Sequence, residues 1–255
     1  HMHDGLLTEL ENVRKLKPCR VEDYKYIQVW LEAVRLLKEY FKDEIYIRGN
    51  CDQAPFALAT MVRGAQDLMM DLMMAEENLV FELLDYCTDA TCQFIKLMAQ
   101  TGADMVSNGD SPAGPEMISP DMYEKFALPF EKKIVDTAHS FGLPYALHIC
   151  GNTHVILDKM LLSGADAFEL DYKTDARKVF VLYSDKATLG GNIDPCGVLA
   201  LGTVGDVRQK TIELLEIYSG SPRFILNAGC ALPPNTPSAN IKEMIKIARE
   251  FTVNH

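Results

Sequence analysis

A histidine and a cysteine two residues apart, His148 and Cys150, form the pair with the clearest potential for chemistry. Residues i and i+2 of a β-strand point to the same face, so both side chains reach one point at the end of a strand. A third soft ligand, Cys230, follows the last predicted strand. Two cysteines and one histidine suit zinc better than magnesium or calcium. Three protein ligands leave a fourth position open, which is typical of a catalytic zinc site.

The residue types alone leave a second interpretation open. A single buried cysteine usually behaves as an inert small hydrophobe, and a single strand histidine is usually a hydrogen-bonded core residue. The three ligands become a site only if the fold brings two distant strand ends together. Among the other cysteines, Cys19, Cys87 and Cys92 are interpreted as packing residues, whereas Cys51 and Cys196 follow strand ends and could line a pocket.

Composition excludes several classes of partner. The chain has 25 Lys and Arg against 36 Asp and Glu, a net charge of −11, whereas nucleic acids and anionic membrane surfaces attract basic faces. No run of 18 uncharged apolar residues is present, so we expect no transmembrane helix. The N-terminus has no apolar leader, and we therefore expect a cytoplasmic protein whose seven cysteines are free thiols.

The elements that must position these residues alternate between strand and helix patterns. The predicted strands lie near 45–48, 104–107, 144–149, 166–170, 186–190 and 223–227. The predicted helices lie near 22–42, 57–73, 76–100, 120–140, 153–162, 204–218 and 239–251. This alternation indicates βαβ units and a mainly parallel sheet. At 255 residues the chain has the length of a single α/β barrel.

Polar residues gather where the predicted strands end, as they do at the mouth of a barrel enzyme. The alternative, a doubly wound sheet, requires a glycine-rich phosphate turn after its first strand, and residues 49–52 do not form one. We therefore predict a TIM-type (β/α) barrel as one domain over 1–255, with a helical segment at 1–44 and βα units at 45–255. About six strands are found where such a barrel has eight.

Four motifs surround these strand ends: HICGN at 148–152, GGNIDP at 190–195, GC at 229–230 followed by PPNTP at 233–237, and QAPFALA at 53–59 with Gly64 downstream. Together they resemble the uroporphyrinogen decarboxylase superfamily, and within it the zinc-dependent methylcobamide:thiol methyltransferases. The resemblance covers roughly residues 45–252. That family has additional strands before the one at 45–48, so we expect a barrel that lacks its first strand or strands.

The resemblance implies a mechanism. His148, Cys150 and Cys230 would hold Zn²⁺, and a substrate thiol such as coenzyme M would enter the open position and lose its proton. The sulfur would then attack a methyl group on the cobalt of a corrinoid, a methylcobamide, carried by a separate partner protein. A folate is an alternative acceptor among relatives.

The resemblance also suggests roles for polar residues beyond the three ligands. Asp171 or Glu169 would be a displaceable fourth ligand of the metal. Asn192 and Asp194 would orient a ligand or contact the substrate, and Asn50 and Asp110 would bind the cofactor from the rim. For each of them a turn-forming or solvated side chain is the competing interpretation.

Two other functions remain open. Tetrapyrrole decarboxylation, as in uroporphyrinogen decarboxylase, requires clustered arginines for its many carboxylates, and Arg48 is the only arginine predicted at a strand end. A short, non-catalytic barrel that binds metal is the second. An incomplete barrel would expose apolar surface, so a homo-oligomer is also expected.

Overall fold

The computed structural model describes residues 5–254, so both ends of the predicted domain, 1–4 and 255, lie outside the described residues. Strands and helices alternate along the chain. The strands are β1 Arg48–Gln53, β2 Met105–Gly109, β3 Tyr145–Ile149, β4 Ala167–Leu170, β5 Thr188–Ile193 and β6 Phe224–Ala228. The helices are α1 Lys25–Phe41, α2 Pro55–Arg63, α3 Ala65–Met74, α4 Glu77–Ala99, α5 Pro120–Phe126, α6 Leu128–Ser140, α7 Leu157–Leu161, α8 Ala176–Tyr183, α9 Val204–Tyr218 and α10 Ser238–Asn254.

All six strands are parallel, and each pairs with the next in sequence order from β1 to β6. A doubly wound sheet would reverse its strand order at a switch point, so this order excludes that alternative. A flat sheet would hold β1 and β6 roughly 24 Å apart at the usual strand spacing. Instead, Arg48 of β1 and Asn227 of β6 both contact Glu169 of β4, at 3.1 and 2.5 Å. The sheet is therefore strongly curved, as in the wall of a TIM-type barrel.

The hydrophobic core lies between the outer face of the sheet and the helices. Val106, Leu147 and Phe168 are fully buried on this face, and α4 and α6 cover it with residues such as Leu84 and Ile134. The inner face carries a separate small cluster of Met105, Ala146 and Ala167. Polar residues of the same face, such as Ser107 and His148, lie beyond this cluster toward the carboxyl ends of the strands.

The predicted architecture is confirmed, with differences in detail. Pairing in the first strand begins at Arg48, three residues after the predicted start, because Arg48 is the first residue to align with a β2 residue. The predicted helices 57–73 and 120–140 are each divided, the first at Gly64, whose φ of +94° ends α2. Helix α8 was not predicted; Asp175 caps its N-terminus.

Two strands of the described sheet have one unpaired edge each, because β1 pairs only with β2 and β6 only with β5. The segment before β1 contains two 3₁₀ turns, Leu10–Lys15 and Val21–Asp23, followed by α1. None of the described helices is long and apolar enough to cross a lipid bilayer.

Candidate metal centre

Three potential ligand atoms converge at the carboxyl end of the sheet. The Nε2 atom of His148 lies 3.0 Å from Cys150 Sγ, and Cys150 Sγ lies 3.6 Å from Cys230 Sγ. All three atoms lie within 4.8 Å of one another. Each residue is half-buried, so the group is sheltered but reachable from solvent.

The orientation of the His148 ring is set by the backbone. Its Nδ1 lies 2.7 Å from the carbonyl oxygen of Glu169 on the neighbouring strand. A carbonyl only accepts hydrogen bonds, so Nδ1 carries the proton and Nε2 presents its lone pair toward the two cysteines. Metal-ligating histidines are usually held in this way.

Glycines allow the two cysteine loops to approach each other. Gly151 follows Cys150 with a φ of +86°, a conformation that turns the chain away immediately after the ligand. Gly229 precedes Cys230, and a Cβ atom on it would lie 2.4 Å from the backbone nitrogen of Tyr172. A side chain at position 229 would therefore displace the loop that carries Cys230.

The donor set fits a zinc ion. With Zn–S bonds of about 2.3 Å, two sulfurs of a tetrahedral site are roughly 3.8 Å apart, and the Cys150–Cys230 separation of 3.6 Å is close to this value. Burial raises the pKa of the Cys230 thiol, so a bound cation would be needed to hold this sulfur as a thiolate at neutral pH. Three donors leave a fourth position for another ligand.

The three ligands line a cleft of about 560 Å³ inside the curved sheet. Arg48, Asn50 and Asp52 of β1 form one side of it, and Asn227 of β6 lies on the other. Of the residues predicted to bind cofactor from the rim, Asn50 is placed in the cleft, where its Oδ1 accepts a hydrogen bond from the Asp52 backbone.

Glu169 also lines the cleft, but its carboxylate is already engaged. Oε2 pairs with Arg48 and Oε1 accepts a hydrogen bond from Asn227. The carboxylate oxygens of Asp171 and Glu169 are both outside the group of atoms that lie within 4.8 Å of one another. A fourth-ligand role for Glu169 would therefore require its carboxylate to move toward the three donor atoms.

Two predicted catalytic residues hold the surrounding loops. Asp171 is buried, and its carboxylate accepts hydrogen bonds from the backbone nitrogens of Gly151 and Lys173, each at 2.9 Å. The Asn192 side chain donates to the carbonyl oxygens of Asp171 and Thr174. Asp171 therefore supports the loop directly after Cys150, whereas Asn192 holds the neighbouring segment that contains Asp171 and Thr174. Neither side chain lines the cleft.

The structure places two other candidates away from the cleft. Asp194 caps the π-helical turn Pro195–Ala200, accepting hydrogen bonds from the backbone of Cys196 and Gly197, because it lies just past the end of β5. Asp110 was predicted to lie at the rim, but the structure places it in a fully buried position. Its Oδ1 accepts a 2.6 Å hydrogen bond from the backbone nitrogen of Ala57 at the N-terminus of α2, which holds the side chain in the interior.

Asp110 belongs to a buried acid pair that sequence reasoning missed. Glu131 of α6 is also fully buried; its Oε2 accepts a 2.5 Å hydrogen bond from Tyr123. Burial raises the pKa of Asp110 to about 7, and burial followed by repulsion from Asp110 raises that of Glu131 well above its usual value. Asp110 Oδ2 and Glu131 Oε1 have no other partner, so a proton shared between the carboxyl groups satisfies both.

All seven cysteines are free thiols, as expected. Cys51 and Cys87 are buried in the core, and burial raises the pKa of both thiols, that of Cys87 to about 12. Cys196 is exposed on its π-helical turn. The structure does not bring Cys51 or Cys196 into the cleft, and Cys51 is instead part of the core.

The family model for uroporphyrinogen decarboxylase (URO-D) matches residues 2–251. The chain belongs to the uroporphyrinogen decarboxylase family. It is 32% identical to the methylcobamide:CoM methyltransferase MtbA of Methanosarcina acetivorans over 96% of this chain and 70% of that protein. It is 27% identical to the uroporphyrinogen decarboxylase of Carboxydothermus hydrogenoformans over 96% of this chain and 69% of that protein.

A solved methyltransferase from Methanosarcina mazei has the same fold, with a TM-score of 0.81 at 27% identity over 88% of this chain. The chain spans 64% of the length of that solved protein. The predicted family is thereby confirmed, and the relatives named here are enzymes. The URO-D-family barrel places the three ligands at the end of the strands where barrel enzymes build their sites.

Proposed function

We propose that this URO-D-family protein transfers a methyl group from a corrinoid to a thiol at a zinc ion. The observation that carries the proposal is the convergence of His148, Cys150 and Cys230 in an open cleft. The resemblance to a methylcobamide:CoM methyltransferase supports the reaction class. The corrinoid would be carried by a partner protein that docks over the mouth of the cleft, and a cytoplasmic location stays a prediction.

The chain's own groups bind and orient the reactants. Cys150 and Cys230 would hold the cation as thiolates, and the Glu169 carbonyl orients the His148 ring so that Nε2 faces the same point. Zinc held there would supply a Lewis acid that lowers the pKa of a bound substrate thiol. In the transfer an S–C bond forms as the Co–C bond breaks. The electron pair stays on cobalt, which goes from Co(III) to Co(I), and the thiol proton goes to solvent.

The cleft does not favour tetrapyrrole decarboxylation. A substrate with many carboxylates requires several cationic side chains. Among the described lining residues Arg48 is the one arginine, and it is paired with Glu169 at 3.1 Å. The described part of the cleft therefore gives the decarboxylase alternative less support than the methyltransferase.

Metal analysis tests the proposal directly. We expect about one zinc per chain in the purified protein, and its loss in Cys150→Ser and in Cys230→Ser, because each variant removes one of two thiolates. Cys196→Ser, which changes an exposed thiol outside the cleft, is the matched control and should keep its zinc. Full zinc retention in both ligand variants would contradict the site.

Transfer is then measured with methylcobalamin as the methyl donor. We expect turnover to require an added thiol and to be absent from the Cys150→Ser and Cys230→Ser variants. Equal turnover after every thiol has been omitted would overturn the thiol-acceptor reaction. A protein that binds zinc but transfers no methyl group to any thiol would favour the non-catalytic barrel.

A further inference from the structure

Two cysteine sulfurs from distant loops lie side by side in the cleft. Cys150 Sγ and Cys230 Sγ are 3.6 Å apart, although 80 positions separate the two residues in the sequence. A disulfide bond joins its sulfurs at about 2.05 Å. The two atoms are therefore already in contact, and an approach of roughly 1.5 Å would bring them to bonding distance.

Both side chains are accessible and need to move little. Each cysteine is half-buried and lines the open cleft, so a small oxidant reaches the two sulfurs from the same side. If both sulfurs move equally, each shifts by roughly 0.8 Å, which a rotation of about 30° about its Cα–Cβ bond supplies. The strands that carry the two loops can stay in place during this change.

The other cysteines do not combine access with a neighbouring thiol. Cys51 and Cys87 are buried in the core, with 2% and 0% of their surface exposed. Cys196 is exposed on its π-helical turn. In the part of the chain that the structure describes, Cys150 and Cys230 are the one pair of cysteine sulfurs in contact. Oxidation at either of them therefore takes place beside a second thiol.

A peroxide can oxidise this pair in two balanced steps. One sulfur attacks the peroxide, so that an S–O bond forms as the O–O bond breaks, and water or an alcohol leaves. The second sulfur then attacks the first, so that the S–S bond forms as the S–O bond breaks, and water leaves. The sulfurs give up two electrons to the peroxide, and the two thiol protons end in the released molecules.

A disulfide and a metal ion would compete for the same two sulfurs. Cysteine binds metals as a thiolate, whereas the sulfurs of a disulfide carry no negative charge. Of the three converging donors, His148 alone would remain available. The two states of the pair are therefore mutually exclusive.

We propose that Cys150 and Cys230 form a reversible disulfide when the protein meets a peroxide, and that this bond excludes the metal ion from the cleft. A dithiol reverses the bond by exchange: its two S–H groups become one S–S bond, and both cysteines regain their protons. The bond depends on the positions of the two sulfurs alone, whereas its effect on the metal rests on the proposed function.

Mass spectrometry of metal-free, fully reduced protein treated with hydrogen peroxide tests the bond. We expect the mass to fall by two hydrogen atoms, the peptides that contain Cys150 and Cys230 to be joined, and dithiothreitol to separate them. Cys196→Ser, which keeps both sulfurs, should form the same link, whereas Cys150→Ser should form none at Cys230. In urea the fold no longer holds the pair together, so the preference for this link among the seven cysteines should disappear.

Zinc release connects the bond to the metal. Peroxide added to the zinc-loaded protein should release about one zinc for each link formed, measured with a chromogenic chelator. Linked protein should bind zinc at least about 100-fold more weakly than reduced protein, because two of three ligands are lost.

The possible failures are distinguishable. Oxidation of Cys150 or Cys230 to a sulfinic acid without a link, in a protein that binds zinc when reduced, would overturn this inference alone. Reduced protein that binds no zinc would overturn the proposed function and the effect of the bond on the metal. Linked protein that binds zinc as tightly as reduced protein would overturn both, since the cysteines would then not be ligands.

Discussion

Glu131 is a carboxyl group in a core position, fully buried between Tyr123 and Asp110. Unfolded carboxyl groups have pKa values of about 4, so the folded pair holds a proton that the unfolded chain releases. A raised folded-state pKa adds stability below the unfolded pKa, and this stability is lost as pH rises through the folded value. For Asp110 that loss is complete above about pH 7.

Glu131→Gln is expected to flatten this dependence. The amide can donate to Asp110 and accept from Tyr123, as the protonated acid does, but it does not ionise. Urea denaturation at pH 5 and pH 8 should show a smaller fall in the free energy of unfolding for the variant than for the unmodified protein. Glu216→Gln, an exposed control, should keep the original fall. Identical pH dependence in all three proteins would refute the shared proton.

The ligands and the acid pair differ in how far the sequence reveals them. The i, i+2 spacing of His148 and Cys150 predicts a shared face directly. Cys230 comes close to them only because the sheet is curved. The sequence pattern does not show this curvature directly, and its prediction depended on the family resemblance. The sequence carries a local signal for Glu131, which lies three and seven residues before Ile134 and Ala138, on the apolar face of α6. Its partner across the core could not be predicted without coordinates.

Loops between elements decide how firmly the ligands are held. Asp171, at the end of β4, accepts the Gly151 backbone hydrogen bond directly after Cys150. Asp171→Ala should lower zinc affinity about 10- to 100-fold, the usual effect of removing a supporting partner near a metal ligand. Competition with a zinc chelator would measure this loss.

Asp194→Ala is the control for that experiment. It removes a cap from the π-helical turn and should cost about 1 kcal/mol of stability, but leave zinc affinity unchanged. Both residues were predicted from the same type of strand-end pattern. A loss of zinc affinity in Asp194→Ala as large as in Asp171→Ala would show that the two loops act together, contrary to their separate contacts.

Strand boundaries were predicted well where the apolar run in the sequence coincides with the residues that pair in the sheet. The cores of β3, β4 and β6 lie within one or two residues of their predicted positions. The start of β1 was misplaced because its paired residues, RGNCDQ, are mostly polar and the apolar residues 45–47 precede them. Polar residues form a strand here because alternate side chains face the cleft instead of the core.

At the scale of the whole molecule, the parallel sheet formed by the described residues has an unpaired edge on β1 and another on β6. Unpaired edges favour association with another chain. We expect concentration-dependent self-association in sedimentation experiments. Ile225→Lys should reduce it, because Ile225 lies on the inner face with Asn227 and an inward-facing charge on an edge strand discourages pairing.

Val181→Lys adds the same charge on α8, at a side chain that is 82% exposed, and serves as the control. It should associate as the unmodified protein does. A protein that is monomeric at every concentration would remove the expectation of a homo-oligomer, and equal association of both variants would place the contact away from β6.

Glu169 makes structural contacts through both its side-chain carboxylate and its backbone carbonyl. Its carboxylate ties the first and last strands to the fourth, and its carbonyl sets the ring of His148. The curvature of the sheet and the orientation of the imidazole therefore both depend on the position of Glu169. Because one residue makes both contacts, we expect a metal ion at the proposed site to stabilise the curved sheet. By the reciprocity of linked equilibria, a ligand that favours the curved sheet should then raise metal affinity by the same factor.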